Sequence, residues 1–180
     1  MSSTIGDTLR LTLFGRSHGP VIGMTLAGIP AGKALSPAAL QAFLDRRAPG
    51  CSPLSTARRE ADIPRFLSGL NGGVTTGEDI TAVIENTDVR SADYEILSAV
   101  PRPGHADYTA YVKYGRIEPG GGPFSGRMTA ALCIAGGICL QLLEQAGISV
   151  LSRIRSIGPV NDRGQLLSST ADKPFPVVDE

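Results

Sequence analysis

Net charge is missing from this 180-residue chain, in which seventeen basic side chains meet seventeen acidic ones, and charge of either sign is sparse at 19% of residues. No global field is available to attract a polyanion and no acidic or basic tail acts locally, which disfavours nucleic-acid binding through bulk electrostatics. Cysteine is scarce too. Cys51, Cys133 and Cys139 form no CxxC pair and have no histidine nearby, so neither a disulfide framework nor a zinc site is suggested, no metal is expected, and a reducing compartment fits. The amino-terminal MSSTIGDTLRLTLFG lacks a basic segment leading into a continuous apolar one, and no later stretch reads as the ~20 apolar residues of a membrane span. A soluble cytoplasmic protein is the expectation. What the chain does have is apolar content, 42% hydrophobic, enough to offset the ordering entropy of one good core, and its length suits a single domain over residues 1–180. Twenty-two glycines and thirteen prolines, with no collagen-like period and no internal repeat, punctuate many loops.

Alternation of apolar and polar residues predicts antiparallel strands over 9–14 and 21–28, joined by the loop GRSHGP. Ser36 followed by Pro37 is an N-cap and first-turn pair, and Leu40, Phe43 and Leu44 recur at helical spacing, predicting a helix over 37–47. APGCSPLSTARRE is aperiodic and reads as a loop. Residues 63–68 and 79–85 read as a second strand pair connected through NGGVTTG, and a long irregular segment follows to residue 107. The run 125–147 is apolar on nearly every face and predicts a buried central helix, with Gly136 and Gly137 admitting another backbone. Residues 148–158 read as a final strand.

Both histidines, His18 in FGRSHGP and His105 in RPGHAD, lie in glycine-containing loops and on no periodic face. Two readings stay open: loop imidazoles bonded to the backbone, or a pair of acid-base groups that titrate near neutral pH and that glycine neighbours leave approachable. Arg46, Arg47, Arg58, Arg59, Arg102 and Arg127 adjoin irregular segments. In a neutral protein, these six suggest a small polyanionic ligand, because guanidinium forks match carboxylate and phosphate oxygens. The Gly120-Gly121-Gly122 run ahead of the apolar helix adds a phosphate-compatible loop. Neither a Walker A lysine nor a GxGxxG accompanies it, which argues against a nucleotide triphosphatase or a Rossmann dehydrogenase.

The strings TIGDTLRLTLFGRSHG, AGIPAG, LDRRAPG, TARRE, LSGLNGGVTTG, IENTDVRSADY, RPGHADYTAYVKYG and PGGGPFSGRMTA occur in the order and spacing seen in chorismate synthases, and from about residue 4 to about residue 158 the chain resembles that family. The resemblance implies an α+β fold, a β-α-β sandwich with helices buried between antiparallel sheets, assembled as a homo-oligomer. It implies a trans-1,4 elimination of phosphate from 5-enolpyruvylshikimate 3-phosphate, dependent on reduced FMN. His18 is then the group that protonates the departing phosphate, and His105 the group beside the reduced flavin. Arg47, Arg58, Arg59 and Arg127 fall on substrate-anion positions, and Gly121, Gly122, Pro123, Phe124 and Ser125 on the flavin-binding segment.

Departures from the family pattern accompany the matches. Arg16 stands where GESHG has its acid, two residues from His18, a charge reversal that would lower the histidine's pKa if the two side chains were close. Ala27, Ala48 and Pro53 replace a usual aspartate and two arginines, and Pro123, Phe124, Gly126 and Met128 replace four residues of GGGRSSARET. Family members are also longer, with further flavin contacts in their C-terminal half. The expectation is therefore either an enzyme completed by a second copy or a complementary C-terminal half, or a catalytically degenerate relative serving as a binding or assembly subunit.

Overall fold

A computed structural model describes residues 2–48, 60–87, 100–165, 170, 173 and 176–178. They form two compact units, Met1–Leu142 and Leu143–Glu180.

The first unit is built on a five-stranded sheet. Its strands are β1 (Ser2–Ile5), β2 (Arg10–Gly15), β3 (Val21–Ala27), β4 (Arg65–Ser68) and β7 (Ile80–Glu85), in the order β1-β2-β3-β7-β4, and every pairing is antiparallel. Between β4 and β7 lies a short hairpin of β5 (Leu70–Asn71) and β6 (Val74–Thr75). The helices are α1 (Pro37–Asp45), α2 (Asp107–Tyr114) and α3 (Thr129–Gln145). The second unit contains one small hairpin, β8 (Ser156–Ile157) with β9 (Val160–Asn161).

Period-two alternation sorts the sheet into faces. Ile22, Met24 and Leu26 of β3 lie opposite Ile84, Ala82 and Ile80 of β7, and all six are buried. The alternate positions carry Thr4, Thr12, Thr25 and Thr81 in register across four strands, with hydroxyl contacts of 3.1 Å and 3.2 Å between neighbours. One face is thus core and the other partly polar. Ser36 caps α1 by accepting from the Ala39 amide at 3.1 Å, as the Ser-Pro pair implies.

The apolar α3 is buried along one stripe, Ala130, Ala131, Ile134, Ala135 and Ile138, while Leu132 on the other side is exposed. Residues 126–145 are long and apolar enough by length and composition to cross a membrane, contrary to the reading that no stretch is. Here that apolarity joins the same core cluster as the inner face of the sheet. Gly137 does permit a close approach, but of side chains rather than backbone: a Cβ there would come within 2.5 Å of Leu40 Cδ1 and 3.1 Å of Phe43, both on α1. Gly136 faces open space.

One expected strand shrinks, and two elements were not anticipated. The strand expected over 148–158 shrinks to Ser156–Ile157, which pairs with Val160–Asn161 in a two-residue hairpin. Strand β1 pairs with β2 although SSTI carries little apolar signal. The irregular stretch ending at residue 107 leads into α2, whose end is set by Gly115 in the left-handed region. Its middle, 88–99, lies outside the described residues.

Candidate functional site

The turn between β2 and β3 carries Arg16, Ser17 and His18, and it packs onto the glycine loop Pro119–Phe124 from a hundred residues further along the chain. The Ser17 amide donates to the Gly122 carbonyl at 3.4 Å, and the Ser17 hydroxyl donates to the Gly120 carbonyl at 3.3 Å. That hydroxyl also lies 3.1 Å from His18 Nδ1. A hydroxyl has one proton, so with Gly120 taking it, Nδ1–H donates to Ser17 Oγ and Nε2 is the basic atom. Gly120, at φ 60°, lies directly against the imidazole, and a Cβ there would overlap the His18 ring. The glycine loop therefore fixes the ring's orientation.

Beneath the loop, Glu118 is only 5% exposed. Its Oε2 accepts from Arg16 Nη1 at 2.8 Å, and its Oε1 lies 2.6 Å from Arg116 Nε. Burial pushes its pKa upward, but the hydrogen bond and charge of Arg16, helped by Arg116, outweigh this and hold it below the ordinary carboxylate value. The reversed charge at position 16 is thus balanced by a carboxylate from the glycine loop's own approach segment.

A second polar cluster backs the first. Arg127, just ahead of α3, is 6% exposed and is ion-paired to Asp62 through Nη1 and to Glu60 through Nε at 2.9 Å. Asp62 also holds Arg47 Nη1 at 2.5 Å. Asn86 joins the clusters: its Oδ1 accepts from Arg127 Nε at 3.2 Å, and its Nδ2 donates to the Arg16 and Gly19 carbonyls. Arg127 Nη2 is buried with no hydrogen-bond partner among the described residues.

His105 stands apart from this network. Arg102 and Asp107 close the RPGHAD turn: Arg102 donates through Nε at 2.7 Å, Nη2 at 3.0 Å and its amide at 3.1 Å to the Asp107 carboxylate. The Arg102 hydrogen bond, working against burial, lowers the Asp107 pKa. His105 itself is exposed. Its Nδ1 lies 3.1 Å from the Pro103 carbonyl, which can only accept, so Nδ1 carries the proton and Nε2 is again the basic atom.

Of the expected site residues, the structure brings Arg47 and Arg127 together on Asp62, and sets His18 against the glycine loop. Pro123 and Phe124 line a cavity of about 60 Å³ with Ser3, Leu13, Gly15, Tyr114 and Met128. Ser125 Oγ caps the Arg127 amide at 3.3 Å, a Cβ on Gly121 would meet Ser125 Cβ at 4.0 Å, an ordinary contact, and Gly122 lies over Glu118, which a Cβ would approach to 2.5 Å. Arg58 and Arg59 lie outside the described residues, as do Cys51 and Pro53. Sequence reasoning assigned no role to Ser17, Glu60, Asp62, Asn86 or Glu118. Ser17, Glu60 and Asn86 lie inside the strings FGRSHG, TARRE and IENTD, Glu118 directly precedes PGGGPFSGRMTA, and Asp62 lies two residues beyond TARRE. Among the described residues no cluster of histidine, cysteine and carboxylates suits a metal ion.

The chorismate synthase family model matches residues 9–180. The chain is 46% identical over 165 residues to the chorismate synthase of Lancefieldella parvula, covering 90% of this chain and 43% of the relative. It is 46% identical over 155 residues to that of Korarchaeum cryptofilum, covering 85% and 43%, and 45% identical over 175 residues to that of Oleidesulfovibrio alaskensis, covering 96% and 49%. A crystal structure of chorismate synthase superposes with a TM-score of 0.59 at 28% identity, over 85% of this chain and 39% of that one. The chain thus spans less than half the length of the curated relatives it matches.

Proposed function

This chain belongs to the chorismate synthase family, and from that premise we propose that it supplies the phosphate-expelling half of a chorismate synthase site, in a soluble cytoplasmic enzyme acting with reduced FMN. The reaction is the trans-1,4 elimination from 5-enolpyruvylshikimate 3-phosphate: a C–O bond to phosphate and a C–H bond break, a new C=C forms, and chorismate and inorganic phosphate leave without net redox change. The observation that carries this reading is the interlock of His18 with the glycine loop, because expelling phosphate calls for an oriented proton donor. With Nδ1–H directed to Ser17, it is the imidazolium form that carries the transferable proton at Nε2, and Gly120 keeps the ring from turning. Arg47 and Arg127 are the substrate-anion groups of this reading. Arg127 Nη2 supports it, since a buried guanidinium donor with no acceptor among the described residues suits an incoming carboxylate or phosphate oxygen.

The flavin fits only in part. Exposed His105 and uncrowded Gly121 suit one wall, but the cavity at Pro123 and Phe124, about 60 Å³, falls far short of the ~300 Å³ or more of a cofactor pocket. The described residues do not enclose FMN. In this reading a second copy of the chain or a complementary C-terminal half supplies walls that the described residues do not. A second reading, a catalytically silent binding or assembly subunit, is favoured by the pairing of Arg47 and Arg127 with internal carboxylates.

Two assays separate the readings. Titrating the chain with reduced FMN, alone and with the C-terminal half of a relative, should show weak binding alone and tighter binding in the mixture. Phosphate release should follow the same pattern, and substituting His18 or His105 should lower the rate in the mixture by ~10²- to 10⁴-fold. A mixture that binds flavin and substrate but releases no phosphate would leave the silent-subunit reading standing.

A further inference from the structure

We infer that Asn86 is a positioning residue for His18, clamping the turn that bears the imidazole and tying that turn to the buried Arg127. The inference rests on the acid role proposed for His18. Asn86 follows directly after β7, and both its side-chain groups and its backbone amide are used. Nδ2 donates to the Arg16 carbonyl at 3.1 Å and to the Gly19 carbonyl at 2.8 Å, and its backbone amide donates to the Pro20 carbonyl at 3.0 Å. These three acceptors bracket Ser17 and His18 on either side, so the clamp holds both ends of the segment that carries the ring. The remaining group, Oδ1, accepts from Arg127 Nε at 3.2 Å.

Only a carboxamide of this length offers two donors and an acceptor at one point. A carboxylate would set negative oxygens against two carbonyls while keeping the arginine contact. An aliphatic side chain would leave both carbonyls and the guanidinium short of a partner. The anchor is firm because the neighbouring Thr87 amide donates to Glu60 Oε1 at 3.0 Å, and Glu60 in turn pairs with Arg127. A displacement of Arg127 therefore reaches the His18 turn through one side chain. The Asn86 hydrogen bonds to this turn go to its backbone, so their effect is on where Nε2 sits.

The chain has two histidines, so in a His105→Gln background the remaining imidazole resonances are those of His18. We would record imidazole ¹³C–¹H spectra against pH for Asn86→Asp and Asn86→Ala. Beside them goes Ser68→Ala, which removes a side-chain hydrogen bond to the Asp79 carbonyl outside the site. The expected result is that both Asn86 variants move the His18 resonances and their titration, whereas Ser68→Ala lowers stability and leaves them in place. His18 resonances superposing on the unsubstituted protein in either folded Asn86 variant would overturn the inference.

Hydrogen exchange gives an answer that does not depend on the variants folding. Slow exchange of the Asn86 Nδ2 protons in the unsubstituted chain supports the clamp, and exchange at the rate of an exposed carboxamide overturns it. In the mixture with a complementary half, Asn86→Asp should lower kcat by about 10²-fold with little change in KM, the size expected for a misplaced catalytic group. If the imidazole moves but even the unsubstituted mixture releases no phosphate, the elimination reading fails and the clamp stands.

Discussion

His18 and His105 each neighbour a glycine in an irregular segment, yet the chain treats them differently. His18 is wedged between the Ser17 hydroxyl and the backbone of Gly120, above an ion-paired Glu118 and within reach of the Asn86 clamp. His105 stands exposed at the head of α2 with its Nδ1 on the Pro103 carbonyl, while Arg102 and Asp107 brace the turn beneath it. In the first region folding sets the orientation of the ring. In the second, folding sets only the position of the turn, and the ring's far edge is left to whatever docks there. Transfer of a proton to a leaving group needs the former, and contact with a separately bound ring system suits the latter.

The largest expected effect breaks the support under the first region. Asp62→Ala leaves the buried Arg127 and the half-buried Arg47 without their shared carboxylate, and urea denaturation should show a loss of about 3–5 kcal/mol, carried by Arg127. The matching change in the second region, Asp107→Ala, should cost less, roughly 1–3 kcal/mol, because Arg102 is partly exposed and regains water. Equal losses would erase the contrast.

Alanine at the two loop glycines tests the wedge itself. Gly120→Ala combines a positive φ with a Cβ overlapping the imidazole, and should lower stability by roughly 2–4 kcal/mol. Gly104→Ala, at φ 73° with open space around it, carries only the backbone strain, about 1–2 kcal/mol. A Gly120→Ala variant as stable as Gly104→Ala would show that the ring is not wedged.

Acid should weaken both regions through depressed carboxylates. Glu118 and Asp107 have folded pKa values below their ordinary 4.5 and 3.8. Each therefore binds its proton more readily when unfolded. The stability they contribute is present in full above those ordinary values and is lost as pH falls through the depressed folded ones. Glu118→Gln and Asp107→Asn should flatten the stability-against-pH curve in that acid range, as read by thermal melts between neutrality and pH 2. An unchanged acid limb in both variants would contradict the pairings. The smallest effect belongs to His105→Gln, which should change stability by less than about 0.5 kcal/mol.

The sheet strands and α1 were legible because alternation, helical spacing and the Ser36-Pro37 cap are local signals. Strand β1 was not, since its pairing with β2 comes from a neighbour rather than from its own residues. Nor was α3's one-sided burial, because a circumference apolar everywhere does not say which stripe meets the sheet. At the site, the two histidines and the glycine run announced themselves as chemistry in loops. Their partners did not. Arg16 meets Glu118 across 102 positions, Arg127 meets Asp62 across 65, and Asn86 meets Arg127 across 41, distances over which spacing rules carry no information. The reversal at Arg16 looked like a defect beside His18, whereas Glu118 takes up its charge.

The central claim, that His18 is the built-in proton donor of a site this chain only half encloses, is tested most directly by inorganic phosphate release. The substrate is 5-enolpyruvylshikimate 3-phosphate with reduced FMN, and the samples are the 180-residue chain alone, the chain mixed with the C-terminal half of the Lancefieldella parvula relative, and the same mixture carrying His18→Ala. We predict little or no release by the chain alone, release by the mixture, and a fall of ~10²- to 10⁴-fold on substituting His18. Robust release by the chain alone, or release from the mixture that is indifferent to His18, would contradict it.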